Sequence, residues 1–177
     1  MKGKTIDPPV MPAYSLTMTA AFPGTFDPPT LGHMNIIQRS AVIFDEITVI
    51  IAENKQKKHL FDANERLELV STLIQPWKNV TAVLWEGLIV DFLKKKGIPL
   101  LIRGVRNGDF SYELELSTMN KALNPQVETI FLATDPDYFM IRSSAIKELV
   151  SFGADISAMV PPEVNMALQK KQRDQTS

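Results

Sequence analysis

Apolar positions along the chain follow two rhythms. Short runs rich in β-branched and aliphatic residues recur at Leu16–Phe22, Ile47–Ala52, Val80–Leu84, Pro99–Ile102 and Val127–Ala133. Each is too short for an ordinary helix and nearly continuous rather than strictly alternating, which predicts parallel strands buried on both faces. The intervening segments carry a helical period. Ile37, Ala41 and Phe44 share one face behind a cap at Thr30, and Asp62 with Glu65 forms a capping-box pattern ahead of Leu67, Val70 and Ile74. Leu88–Lys96 closes on three lysines and Gly97, Tyr112–Leu123 and Ser143–Phe152 follow, and Pro161-Pro162 opens a last helix. Strand and helix alternating in this way predict right-handed crossovers and an α/β domain: a doubly wound, five-stranded parallel sheet with helices on both faces. Ligands of such sheets bind just past the carboxyl ends of the strands.

The residues that follow each strand are therefore the candidates for chemistry. The first strand runs into Pro23-Gly24-Thr25-Phe26-Asp27-Pro28-Pro29-Thr30-Leu31-Gly32-His33, and the second into Lys55-Gln56-Lys57-Lys58. The fourth runs into Arg103-Gly104-Val105-Arg106 and the fifth into Thr134–Ser144. One sheet edge thus collects a glycine turn, a histidine, lysines, two arginines and hydroxyls, which is the composition of an anion site. Gly24 allows a sharp turn, and the helix behind it offers unpaired amides to a phosphate. On the first turn of that helix, His33 is placed to donate to a phosphoryl oxygen that gains charge. A lone histidine there is ordinarily a surface residue of a capped turn; beside Gly24 and Thr25 the phosphoryl reading prevails. Its removal should matter little to folding.

Asp27, ahead of Pro28, suits a turn that satisfies backbone amides better than a general base. Lysine clusters usually face solvent, but the position of Lys55, Lys57 and Lys58 argues that at least one points inward. Arg103 and Arg106, with Gly104 giving room between them, are suited to bidentate phosphate contacts or equally to ion pairs with Asp109 or Glu113. Ser143 and Ser144 suit a helix cap, which is compatible with phosphate binding.

Composition narrows the function classes. The 177 residues fit one domain, expected at 19–177 behind a loose extension at 1–18 that Pro8, Pro9 and Pro12 interrupt. Nineteen basic against twenty acidic side chains give a net charge of −1, which argues against a nucleic-acid partner. With no cysteine and only His33 and His59 as imidazoles, no metal centre held by the protein is expected. No apolar run is long enough for a membrane helix, so a cytoplasmic location without a membrane partner is expected.

The run Thr30-Leu31-Gly32-His33 resembles the Thr/His-x-Gly-His signature of a nucleotidyltransferase superfamily. Together with Pro23–Pro28, Lys57, Arg103-Gly104-Val105-Arg106, Asp109-Phe110, Tyr112-Glu113 and Met119-Asn120, it is similar to the bacterial phosphopantetheine adenylyltransferases over residues 20 to 170. The resemblance implies a Rossmann-like fold and transfer of AMP from ATP, with Mg2+, to 4′-phosphopantetheine. The products would be dephospho-coenzyme A and pyrophosphate, in coenzyme A biosynthesis. It also implies a homohexamer, with coenzyme A as a candidate feedback inhibitor. Matched by position, Thr25, His33, Lys57 and Arg106 would be catalytic, and Thr25, Lys57, Ile89 and Arg103 would hold the acceptor. The ATP site would comprise Thr25, Phe26, His33, Gly104, Val105, Arg106, Glu113, Tyr138, Phe139, Met140, Ile141, Arg142, Ser143 and Ser144. Lys55 and Lys58 would be solvated. Two departures stand out: the segment before Glu113 is one residue short, and Arg142 replaces a serine, adding a phosphate contact or removing a hydroxyl. The rival readings are a cytidylyltransferase of the same superfamily and a non-catalytic nucleotide sensor.

Overall fold

The computed structural model describes residues 17–106 and 108–176. Most of the expected extension, residues 1–16, lies outside the described residues, as does the start of the first expected strand at Leu16. The elements are β1 (Thr19–Gly24), α1 (Leu31–Ile43), β2 (Glu46–Glu53), α2 (Ala63–Leu73), β3 (Val80–Glu86) and α3 (Ile89–Lys96). They continue with β4 (Leu100–Val105), α4 (Phe110–Leu123), β5 (Glu128–Ala133), a 3-10 turn at Pro136–Tyr138, α5 (Ser143–Ser151) and α6 (Pro162–Thr176).

The five strands form one parallel sheet in the order β3-β2-β1-β4-β5, as expected of a doubly wound fold. After β3 the chain crosses to the far side of β1, so the winding reverses between β1 and β4. Pairing there is short: Ala20 opposes Leu100 and Ala21 opposes Leu101, after which the two strands diverge. β1 stays paired to β2 as far as Gly24, and β4 to β5 as far as Val105 and Ala133. A crevice opens at this switch point, the place where such sheets bind ligands.

β4 is longer than expected. Arg103, Gly104 and Val105 belong to the strand and not to the loop beyond it, because β5 supplies ladder partners up to Ala133. A second correction concerns α5: Ser143 and Ser144 are its first two residues, and Arg142 occupies the cap position without a capping side chain. Ser143 donates instead to the carbonyl of Pro28 at 2.9 Å. The other helix signals are realised. Asp62 accepts from the amide of Glu65 at 2.9 Å, Glu65 accepts in return from the amide of Asp62 at 2.8 Å, and α3 stops at Gly97 with φ of 66°.

The sheet is buried on both faces. Ala20, Phe22, Ile47, Val49, Ile51 and Ile102 pack with α1 and α2, whereas Ala21, Ile50 and Leu101, one residue out of phase, pack with Phe92 and Leu93 of α3. Residues of α5 and α6, among them Ile146, Val150, Val164 and Leu168, form a third cluster with Phe61 and with Leu69 and Leu73 of α2. Among the described residues no helix is long and apolar enough to cross a membrane.

Candidate active site

The loop after β1 is shaped by a buried phenylalanine. Phe26 has a positive φ of 51°, and its ring turns back under the loop, 1% exposed and edge-on to Phe22 at 5.8 Å. A Cβ on Gly24 would lie 2.9 Å from that ring, so glycine is required here by close approach. Phe26, expected in the ATP site, therefore supports the floor of the loop and does not line the cavity above it. Asp27 is structural, as its position before proline suggested. It is buried, accepts from the amides of Leu60 and Phe61 at 2.9 to 3.1 Å, and pairs with Lys147 at 3.0 Å. Burial alone would raise its pKa; the Phe61 and Leu60 amides and Lys147 outweigh this and hold the carboxyl below its ordinary value.

His33 is tied to the helix cap more firmly than expected. Thr30 is the N-cap of α1, its Oγ1 accepts from the amide of His33 at 3.3 Å, and the His33 ring accepts in return from the Thr30 amide through Nδ1 at 3.1 Å. A ring nitrogen that accepts a backbone N–H carries no proton, so the imidazole bears its proton on Nε2. Burial first, and the Arg106 guanidinium second, push its pKa down to about 4. The ring is thus neutral at physiological pH. It packs on Phe26 with centroids 4.9 Å apart, and it lines the crevice. The expectation that His33 matters little to folding is thereby revised.

The α1 terminus is also less open than expected. The Leu31 amide donates to Met159 and the His33 amide to Thr30, which leaves Gly32, also on the crevice, as the free amide of that first turn. The first turn of α5, lacking a side-chain cap, offers open amides nearby.

Both arginines are paired and both line the crevice. Arg103 grips Glu113 through two bonds, of 2.5 and 2.8 Å. Arg106 contacts Asp109 at 3.1 Å and donates to the Ile141 carbonyl at 2.6 Å, and Asp109 also meets Arg142 at 3.4 Å. The ion-pair reading of the arginines is realised: carboxylates fix the guanidinium planes, while both side chains also line the cavity. Glu113, expected at ATP, is also on the cavity wall but is engaged by Arg103.

Two contiguous cavities result. The first, about 270 Å3, is bounded by Gly24, Thr25, Gly32, His33, Arg103, Gly104, Arg106 and Glu113, with Thr134 closing one side. The second, about 580 Å3, is bounded by the loop carrying Lys55, Gln56 and Lys57, by His59, and by Glu86–Ile89. Thr25, Ala52 and Ile89 line both and mark the junction. Lys57 reaches the second cavity and Lys58 does not; Lys55, expected to be solvated, is exposed but also lines it, bonded to Glu86 at 2.8 Å. Val105 and the residues from Tyr138 to Ser144 flank the first cavity without lining it. Tyr138 lies against Gly32, Ile141 receives Arg106, and Met140 is 82% exposed.

Sequence reasoning missed Arg66. This wholly buried side chain donates to the carbonyls of Thr25 at 2.8 Å and Ala52 at 3.2 Å, to that of Phe61 at 3.1 Å, and to the Glu53 carboxylate. It ties the junction of the two cavities to the start of α2. An arginine inside the helical pattern of α2 was the one available signal.

A parallel sheet with a histidine-bearing loop and paired arginines at its switch point defines the class. Residues 21–149 match the cytidylyltransferase-like family, and this domain places the chain among nucleotidyltransferases. A solved structure assigned as a nicotinate-nucleotide adenylyltransferase from Vibrio parahaemolyticus shares the fold, with TM-score 0.62 and 20% identity over 85% of this chain and 97% of that one. Curated relatives are nearer. A phosphopantetheine adenylyltransferase from Heliobacterium modesticaldum is 43% identical over 88% of this chain and 93% of its own length. Those from Methylococcus capsulatus and Alkaliphilus metalliredigens are 41% and 40% identical, over 88% and 85% of this chain and 97% and 96% of their own. The chain belongs to the phosphopantetheine adenylyltransferase family.

Proposed function

We propose that this enzyme transfers the adenylyl group of ATP to 4′-phosphopantetheine, forming dephospho-coenzyme A and pyrophosphate in coenzyme A biosynthesis. The observation that carries this reading is the pair of cavities meeting at Thr25, Ala52 and Ile89. The first, with His33, Arg106 and the Gly32 amide, is assigned to the phosphates of ATP. The second, with Lys57, is assigned to the phosphorylated acceptor, whose pantetheine arm would run along Ile89. Arg103 stands at the first cavity beside Thr25 and Glu113, within reach of the acceptor phosphate.

The acceptor phosphate is already anionic, so alignment and charge stabilisation suffice and no strong base is needed. One of its oxygens attacks the α-phosphorus in line. A bond forms there as the bond to the β-phosphate oxygen breaks, and pyrophosphate leaves with its electron pair. The neutral His33 donates through Nε2–H to the phosphoryl oxygen that gains charge, and Arg106 and the open amides of α5 meet the polyphosphate. Because the Nδ1 acceptor is fixed by Thr30, the donor is preorganised. Magnesium is proposed to enter as the partner of ATP's phosphates, which is how it commonly binds in phosphoryl-transfer enzymes. Among the described residues no group of three His, Asp or Glu could hold a cation, and Glu113 is engaged by Arg103. When bound, the ion neutralises charge on the departing pyrophosphate.

Coenzyme A contains both an adenylate and a pantetheine part, which supports its assignment as a feedback ligand spanning both cavities. Exposed Tyr112, Met119 and Leu123 lie on one stripe of α4, an apolar surface that supports the homohexamer. A cytoplasmic location, with access to ATP, completes the reading. A nucleotide panel tests it. Turnover of phosphopantetheine with ATP and not with CTP supports adenylyl transfer; preference for CTP would assign a cytidylyltransferase, and binding without turnover a sensor.

A further inference from the structure

The second cavity is lined by a nearly buried imidazole, that of His59, which the reaction above does not use. His59 closes the loop that carries Lys57, and its side chain is 11% exposed. Its ring lies between two carboxylates: Nδ1 is 3.6 Å from Oδ2 of Asp27, and Nε2 is 3.9 Å from Oε1 of Glu53. Nε2 is buried and has no hydrogen-bond partner. Both separations are too long for good hydrogen bonds of a neutral ring, yet close enough for an imidazolium to attract both carboxylates.

Charged groups face this ring from every side. Asp27, on the loop after β1, is bonded to Lys147 of α5 through the same Oδ2, at 3.0 Å. Glu53, at the end of β2, is paired through Oε2 with Arg66 of α2, and its Oε1 is the oxygen turned to His59. Lys57 and Lys58, on the ring's own loop, are exposed. Each carboxylate therefore has a cation already, and a neutral His59 leaves Oε1 of Glu53 unmatched beside the cavity. The remaining charges of that cavity cancel, with Glu53 and Glu86 set against Lys55 and Lys57. A phosphate monoester brings a charge of roughly −1.5 to −2 at neutral pH.

Resting on the functional reading above, we propose that His59 is a positioning residue for the phosphorylated acceptor. A proton taken from solvent as the acceptor binds converts the ring to imidazolium, which draws in Asp27 and Glu53. Glu53 is then held away from the phosphate, the cavity gains a net positive charge, and the loop bearing Lys57 is pinned in place. His59 acts through Glu53 and through this loop without touching the reacting atoms.

The test compares wild type with His59→Gln, measuring acceptor KM against pH and the proton uptake on binding phosphopantetheine, by calorimetry in buffers of different ionisation enthalpy. Wild type takes up a proton, and its acceptor KM rises with pH, by at most about tenfold per pH unit, while ATP KM stays flat. His59→Gln loses both the slope and the uptake; titration of the acceptor phosphate itself is common to both proteins and cancels in the comparison. Identical slopes and uptake in the two proteins would overturn the inference while leaving the functional reading intact. A wild type that fails to turn over phosphopantetheine with ATP would overturn that reading and this inference with it. Imidazole 15N NMR of intact wild type, which has only two histidines, gives a readout independent of the variant. The imidazolium fraction of His59 should rise at fixed pH when phosphopantetheine saturates, and no change would overturn the inference.

Discussion

The His33 ring is shown in the helix cap and is proposed to donate to the reacting phosphate, and two substitutions separate these jobs. Nδ1 accepts from the Thr30 amide at 3.1 Å and completes the capping box, whereas Nε2–H is free for the ligand. His33→Ala removes both. Loss of the cap should cost about 1 kcal/mol, lowering the thermal midpoint by roughly 2–4 °C in a chain of this size. Loss of a preorganised donor to developing charge should cost about 100- to 1,000-fold in turnover, or about 3 to 4 kcal/mol of transition-state stabilisation. His33→Asn places its amide oxygen where Nδ1 stands and nothing where Nε2 stands, so it should keep the midpoint within about 2 °C of wild type and still lose turnover by about 100-fold or more. Single-turnover adenylyl transfer, equilibrium ATP binding and thermal unfolding are the assays, with ATP affinity expected to change much less than turnover. Near wild-type turnover in His33→Asn would refute the donor role. The ring also shapes stability against pH. Its pKa is lowered from 6.5 to about 4 on folding, so the unfolded chain binds the extra proton between these values. Stability is fully present above the unfolded value and falls as pH drops through this window, by about 3 kcal/mol, a slope that both variants should lose.

Three further outcomes follow from the same geometry. Arg103→Ala should chiefly raise acceptor KM and Arg106→Ala chiefly ATP KM, checked by kinetics with each substrate varied; equal effects on both would reject the division of labour. Lys57→Ala should lower activity more than Lys58→Ala, because Lys57 lines the second cavity and Lys58 does not, and activity assays on the two folded variants decide. The solution mass by light scattering should be about six times the 19.8 kDa chain, and a monomer would leave the apolar stripe of α4 unexplained.

The fold was legible because the sheet is buried on both faces, so apolar runs marked the strands and helical periods filled the gaps. Strand ends were less legible. β4 continues through Arg103 and Gly104 because β5 pairs with it, a non-local cause that composition cannot reveal. In the site, residue type and position singled out the glycine turn, His33 and the arginines, and these residues do line one cavity. Their partners were less visible: Arg103 with Glu113 was one of two readings of equal standing, and the structure realises that ion pair at the wall of the cavity. The capping role of the His33 ring was hidden because the usual box carries Glu or Gln at that position. Arg66 and His59 stayed obscure for a different reason. Their significance lies in chains of contacts among β1, β2, α2 and α5 that only tertiary packing assembles.

The most direct test of adenylyl transfer is pyrophosphate release from ATP and magnesium with 4′-phosphopantetheine, followed beside the mass of the organic product. Release should require both substrates, match the dephospho-coenzyme A formed one for one, and yield no AMP-bearing protein adduct. Absence of pyrophosphate, or its release without the acceptor, would contradict the assigned function.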